Sequence, residues 1–186
     1  MKILVTGGLG VVGLPLVAEL RSKGHEVWIC DLHQHHDPFY LRCDVRHLRQ
    51  VQALFAGRSF DCVYHLAAEF GRHNGEDYYE NLWATNVVGT KNVLTVQRKQ
   101  GFRLVFFSSS EVYGDYDGVM SEDVMEDVAI RQMNDYAMTK WVGEMQVANA
   151  AELCGTETVR VRLFNIYGPG EYYSPYRSAL CIFCYR

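Results

Sequence analysis

The chain has 186 residues, one ordinary domain's length, and 48% hydrophobic with 22% charged residues excludes a long disordered or collagen-like polymer. Eighteen basic against twenty-two acidic residues leave a net charge of −4. With no Lys/Arg cluster, nucleic-acid binding through a basic surface is not expected.

Taken in chain order, strand and helix patterns alternate. Lys2–Thr6 is a short β-branched run that enters a glycine turn. Val11–Lys23 has helical spacing, with Leu14, Val17, Ala18 and Leu20 on one side and Gly24 as its stop. Glu26–Cys30 is a second apolar strand, Leu48–Phe55 a short helix ending at Gly57, and Asp61–Leu66 a third strand. Asp77–Lys99 reads as one long helix and Arg103–Ser108 as a fourth strand. Tyr136–Cys154 is a helix closed by Gly155, and Thr158–Phe164 is a fifth strand. Buried strands separated by helices predict an α/β fold, a doubly wound parallel sheet with helices on both faces. Asp115–Asp127 holds six acids and no base, and is expected as an exposed loop. Residues 1–170 are expected to form the nucleotide-binding domain. Residues 171–186 would begin a further region, with Arg177–Arg186 reading as the start of a helix.

Cys30, Cys43 and Cys62 lie in or beside apolar runs, where thiols behave as small hydrophobes. Reduced thiols and a cytoplasmic location are the expectation. Lys2 and the apolar stretch to Ala18 imitate a secretory signal, but Gly7, Gly8, Gly10, Gly13 and Pro15 read better as a turn opening a helix. No apolar run approaches the ~20 residues of a membrane span. His33-Gln34-His35-His36-Asp37 and Cys181-x-x-Cys184 look metal-like, yet consecutive histidines seldom converge on one ion and the cysteine pair has no second pair nearby. No metal site is expected.

Thr6–Gly13 carries Gly7, Gly10 and Gly13 at spacings of three, between the first strand and the first helix. Glycine permits the sharp turn, lets backbone approach a pyrophosphate, and lets helix and strand pack closely. The helix start, at Val11 and Val12, offers unpaired N–H groups to phosphate. Asp31, 18 residues after Gly13, ends the second strand. A carboxylate there accepts from both ribose hydroxyls and repels a 2′-phosphate, which favours NAD over NADP. The next residues, Leu32 and His33, provide no Arg or Lys for that phosphate. Asp44 is a candidate adenine contact or the N-cap of the next helix.

Tyr136 and Lys140 are four apart on a predicted helix and share a face. A neighbouring ammonium should lower the phenol's ionisation from its usual pKa of ~10, giving a base that removes a hydroxyl proton near neutral pH. Ser109, just past the fourth strand, can hydrogen-bond the same hydroxyl at the carboxyl edge of the sheet. His65, at a strand end, is expected to be a packed, hydrogen-bonded residue.

These pieces resemble the extended short-chain dehydrogenase/reductases that modify nucleotide sugars: epimerases, 4,6-dehydratases and decarboxylases. The matching segments are Thr6–Gly13, Asp31, Asp44-Val45, His65–Ala68, Asn86–Thr90, Ser108–Gly114, Tyr136–Lys140 and Arg162–Pro169, in family order over nearly the whole chain. The resemblance implies a transient 4-keto sugar and a Rossmann-type fold. It implies Tyr136 as base, Lys140 on the nicotinamide ribose and Ser109 on the sugar 4-hydroxyl. The implied cofactor-binding set is Gly7, Gly10, Val11, Val12, Gly13, Asp31, Leu32, Asp44, Val45, Leu66, Ala67, Ala68, Asn86 and Ser108, with Tyr136 and Lys140. Ser109, Ser110, Tyr136 and Asn165 would touch the substrate, Asn165 at its diphosphate. Where dehydratases usually read Thr-Asp-Glu, this chain reads Ser109-Ser110-Glu111. Glu111 is thus a candidate proton carrier, while Ser110, a poor donor, weakens the dehydratase reading. A Thr-Ser-Glu version is similar to nucleoside-diphosphate-glucuronate decarboxylases, and plain 4-epimerases usually lack the Glu. The resemblance further implies a later part closing over the sugar nucleotide, so the chain is expected to be a fragment. It also implies a homodimer in which the Tyr136–Cys154 and Asp77–Lys99 helices pair with their copies; the apolar stripe of Trp141, Met145 and Ala148 fits that contact or core packing. A reading of another class is a non-catalytic NAD-sensing module, against which the presence of both Tyr136 and Lys140 argues.

Overall fold

The computed structural model describes residues 1–70, 78–173 and 179–185. Six parallel strands form one sheet in the order β3-β2-β1-β4-β5-β6: β1 Lys2–Thr6, β2 Glu26–Asp31, β3 Tyr40–Arg42, β4 Cys62–His65, β5 Arg103–Ser109 and β6 Thr158–Leu163. This is the expected doubly wound, Rossmann-type order, which reverses direction between β1 and β4. Alternation along β1 explains why its whole run is apolar. Leu4 packs with Val63, Leu104 and Phe106 in one core, while Ile3 and Val5 join Val17, Leu20 and Ile29 in the other. Helices cover both faces, so neither face can be polar.

The helices are α1 Gly13–Ser22, α2 Leu48–Leu54, α3 Tyr79–Trp83, α4 Thr90–Gln100, α5 Val124–Asp127, α6 Asp135–Cys154 and α7 Ala179–Cys184. Four expectations need correction. First, Leu14 is 49% exposed and Ala18 is exposed, so α1 is buried through Val17 and Leu20. Leu14 instead looks into the cleft at the sheet edge. Second, the long helix begins later among the described residues, since Asp77 lies outside them, and it carries a π-helical turn at Ala84–Gly89 between α3 and α4. The wider turn holds the buried Asn86, and Gly89 lets Val45 lie against the helix: a Cβ there would sit 2.8 Å from Val45 Cγ2. Third, the acidic stretch is not all loop, because buried Val124 roots the short α5. Fourth, an edge strand, β3, adds to the five expected.

Helix α6 is capped at both ends. Asn134 Oδ1 accepts from Ala137 N at 2.8 Å, and Gly155 takes φ +62° at the C-terminus. The helix expected at Arg177–Arg186 is described as α7; Arg177 and Arg186 themselves lie outside the described residues. Among the described residues no helix is long and apolar enough to cross a membrane, and no group of His, Cys, Asp and Glu is arranged to hold a metal ion.

Candidate active site

A cleft of about 870 Å³ runs along the carboxyl ends of the strands, where the sheet order reverses. Its floor at one end is the glycine turn. Gly7 adopts φ +68° and donates to Cys30 O at 2.8 Å, and Gly10 donates back to Gly7 O at 3.1 Å. A Cβ on Gly7 would lie 2.7 Å from Ala67 N, and one on Gly13 would lie 2.5 Å from Gly7 O. Both neighbours are backbone, so neither can give way. Helix α1 then starts with no side-chain cap and no acid in its first turn. Val11, Val12 and Gly13 line the cleft there, so its amide end is left for an anion. These features fit a dinucleotide diphosphate.

Asp31 is fastened beside this turn. Oδ2 accepts from Leu9 N at 3.1 Å and Oδ1 from Leu32 N at 2.7 Å, one backbone donor per oxygen. Each oxygen retains a lone pair for a ribose hydroxyl. Asp44 and Val45 also line the cleft. The Arg46 guanidinium, 2.6 Å away, holds the Asp44 carboxyl below its ordinary range. Asp44 is not the helix cap, because His47 occupies that position in α2.

After β4, Leu66, Ala67 and Ala68 pass along the cleft wall. Thr6 anchors them, its O and Oγ1 accepting from Leu66 N and Ala67 N. Buried His65 sits beneath, with Nδ1 2.7 Å from Thr6 Oγ1 and Nε2 3.2 Å from Thr90 Oγ1. Thr90 donates its own proton to Asn86 O, so the consistent tautomer has the His65 proton on Nε2. Burial, and secondarily the Lys140 charge, pull the imidazole down to about 3. His65 is neutral and structural, as expected.

Asn86 does not line the cleft. Its side chain accepts from Glu69 N and donates to Glu69 O and Thr139 Oγ1, all within 3.0 Å. It therefore holds the wall rather than presenting an amide to a ligand. Thr139 in turn donates to Tyr136 O at 2.8 Å, so the wall and the first turn of α6 are pinned together.

At the other end of the cleft, Ser108, Ser109, Tyr136, Lys140 and Asn165 come together on the lining. Ser109 ends β5, one residue later than expected, and shares the cleft lining with Tyr136. Lys140 Nζ donates to Phe107 O at 2.8 Å and lies 5.8 Å from the Tyr136 ring centroid. The expected lowering of the phenol is overturned. Withdrawal from water pushes Tyr136 up to about 12, the nearby Ser109 hydroxyl only partly opposing and the Glu111 charge adding to it. The Lys140 ammonium, 5.8 Å from the ring centroid, does not reverse this, and burial brings Lys140 itself down to about 8.

Glu111 and Ser110 are absent from the lining. Glu111 Oε2 accepts from Asn134 Nδ2 at 2.9 Å, bracing the cap of α6 two residues before Tyr136. Sequence reasoning assigned no role to Glu144 or Arg162. Glu144 is fully buried one turn beyond Lys140, and Arg162 crosses to it from β6 with both oxygens engaged, Nη2 to Oε2 at 2.8 Å. The i,i+4 spacing from Lys140 was the signal available. His33–His36 follow β2 without forming a metal cluster, and no disulfide joins the described cysteines.

Comparison with known proteins agrees with this architecture. The chain is 33% identical over 178 residues to a UDP-glucose 4-epimerase of Streptomyces lividans, covering 90% of this chain and 53% of that protein. It is 30% identical over 191 residues to a UDP-N-acetyl-alpha-D-glucosaminuronate decarboxylase of Bacillus cytotoxicus, covering 96% and 59%. Its fold superposes on MoeE5, solved in complex with UDP-glucuronic acid and NAD, with a TM-score of 0.80 at 32% identity over 92% of this chain and 57% of that one. The chain thus spans little more than half the length of these relatives. The model of the NAD dependent epimerase/dehydratase family matches residues 3–181, and the chain belongs to that family.

Proposed function

We propose that this chain is the NAD-binding part of an enzyme that modifies a nucleoside-diphosphate sugar through a transient ketone at C4. The carrying observation is that Ser109, Tyr136 and Lys140 line the same cleft as the glycine turn and Asp31. When bound, NAD would supply a hydride acceptor and a positive charge beside the phenol. The α1 amide end takes the diphosphate and Asp31 the adenosine ribose, which disfavours a 2′-phosphate. Leu66–Ala68 flank the cofactor, and Lys140 serves the nicotinamide ribose. Ser109 orients the sugar hydroxyl and Tyr136 takes its proton. Asn165, on the lining, is placed to meet the substrate diphosphate. Residues 1–170 act as the cofactor domain and 171–186 open the substrate region.

Epimerisation is the first reading. A carboxylate that moves a proton must reach the sugar, and Glu111 is instead turned to Asn134. Decarboxylation is the second, supported by the Ser109-Ser110-Glu111 segment and the likeness to the Bacillus cytotoxicus decarboxylase. A homodimer is supported by the α6 stripe, where Met145 is 46% exposed on the helix surface. A cytoplasmic location is supported by the buried thiols of Cys30, Cys43 and Cys62, and cell fractionation tests it.

The test incubates the complete protein with UDP-glucose and UDP-glucuronic acid and reads product mass. An unchanged mass with a new stereoisomer marks an epimerase, loss of water a dehydratase, loss of carbon dioxide a decarboxylase. Tyr136→Phe should cut turnover by about 10²–10⁴-fold while NAD still binds. Undiminished turnover would remove the assignment, and NAD binding without turnover in the native protein would favour the sensing module.

A further inference from the structure

The segment between β3 and α2 carries a cation that no step above uses. Cys43 N donates to Asp31 O at 3.0 Å, which keeps this segment beside the ribose-facing aspartate, and the next two residues, Asp44 and Val45, line the cleft. Their backbone is held from two sides. The Asp44 carbonyl accepts from His47 N at 3.1 Å, and the Val45 carbonyl accepts from Asn92 Nδ2 at 2.8 Å. Val45 is buried, yet its N–H donates to none of the described residues. A buried backbone donor without a partner costs free energy unless a ligand meets it. The neighbouring acceptor along the chain is the Asp44 carboxylate.

Arg46 grips that carboxylate with its guanidinium fork. Nε lies 2.9 and 3.0 Å from the two oxygens, and Nη2 lies 2.6 Å from Oδ2. The Arg46 backbone N adds a bond to Oδ1 at 3.0 Å. The fork is itself anchored. Nη1 donates to Asn81 Oδ1 on α3, and Asn81 Nδ2 donates to Glu69 Oε1 at 2.8 Å. Glu69 belongs to the cleft wall, where Asn86 fixes its backbone through both N and O. Exposed His47, 3.6 Å from Oδ2, adds no comparable grip. We propose that Arg46 is a positioning residue: by clamping Asp44 beside the Val45 N–H, it makes the cofactor site select adenine over a 6-oxopurine. The proposal deepens the functional reading above and rests on its assignment of NAD to this cleft. On its Watson–Crick edge adenine offers an amino donor next to a ring-nitrogen acceptor, which an acceptor beside a donor matches. Hypoxanthine offers the reverse, a carbonyl oxygen next to a ring N–H. A clamped carboxylate and a fixed N–H then meet two mismatches. A carboxylate freed from the fork can turn to the ring N–H, and the rejection relaxes.

A preference between two ligands separates this role from a merely structural one. Isothermal titration calorimetry measures the affinity of the complete protein for NAD and for nicotinamide hypoxanthine dinucleotide. The native protein should prefer NAD by about tenfold or more. Arg46→Met should shrink that ratio by about fivefold or more. Arg46→Lys, which keeps the charge but loses the fork, should shrink it as well. General loosening of the site would weaken both dinucleotides alike and leave the ratio unchanged, and that result overturns the proposal. So does a native protein without the preference, or a ratio fully kept by Arg46→Lys. If Arg46→Met does not fold, Asn81→Ala replaces it, because it removes the anchor of the fork while leaving the Asp44–Arg46 pair in place. A smaller ratio in that variant supports the proposal, and an unchanged one overturns it. These readouts need no turnover. A protein that selects NAD in this way yet alters no sugar nucleotide would keep the proposal and lose the functional reading, and one that turns over with an Arg46-independent ratio would do the opposite.

Discussion

His65 shows what one buried side chain dictates. Its folded pKa of about 3 lies below the unfolded value near ~6.5, so the fold favours the neutral ring. Below pH ~6.5 the unfolded chain binds a proton that the folded chain refuses, and stability falls with pH until about 3. Near pH ~4.5 this amounts to about 2–3 kcal/mol. Urea unfolding across that range should show a flatter pH dependence for His65→Gln than for the native protein. Equal slopes would mean the imidazole is hydrated in solution. Tyr136 obeys the same physics with another outcome. Its phenol is buried enough to resist ionisation, so spacing alone misjudged it: Tyr-x-x-x-Lys fixes a common helix face but not the 5.8 Å to the ring or the loss of water around both groups.

At the scale of elements, the glycines divide into two kinds, those of the phosphate turn and those that stop a helix. Gly13 faces a backbone carbonyl, whereas Gly155 caps α6 with nothing within 4 Å of its added Cβ. Gly13→Ala should cost about 1–3 kcal/mol and also weaken NAD binding, because the turn must open. Gly155→Ala should cost about 1–2 kcal/mol through its positive φ alone and leave NAD affinity unchanged. Thermal melts with and without NAD distinguish these outcomes. Strands β1, β2, β4 and β5 were legible because each is a buried apolar run between turn residues, and β6 was read as well although none of its residues is buried. Strand β3 was not, since two half-covered edge residues and an exposed Arg42 carry no such run. The π-helical turn at Ala84–Gly89 was also hidden: it shifts hydrogen bonds without altering composition. The Glu144–Arg162 pair was not legible either, because it forms only once β6 is laid beside β5.

For the molecule as a whole, the proposed dimer makes a direct demand on the α6 surface. Met145→Glu would place a charge at the centre of that contact and should yield a monomer by sedimentation, with the monomer's own packing undisturbed. An unaltered dimer would move the contact elsewhere. The cofactor half of the cleft was readable from motifs because backbone turns demand particular residues, as at Gly7 and Gly13. The wall was less so. Asn86 fits the family pattern, but its work lies in joining Glu69 to Thr139 rather than in touching a ligand. That shared pin ties two distant stretches into one opening event. Amide exchange of residues 67–70 and of the opening turn of α6 should accelerate in concert when Asn86 is replaced by Ala, leaving β1 protected. Exchange that quickens in one stretch alone would show that they breathe separately.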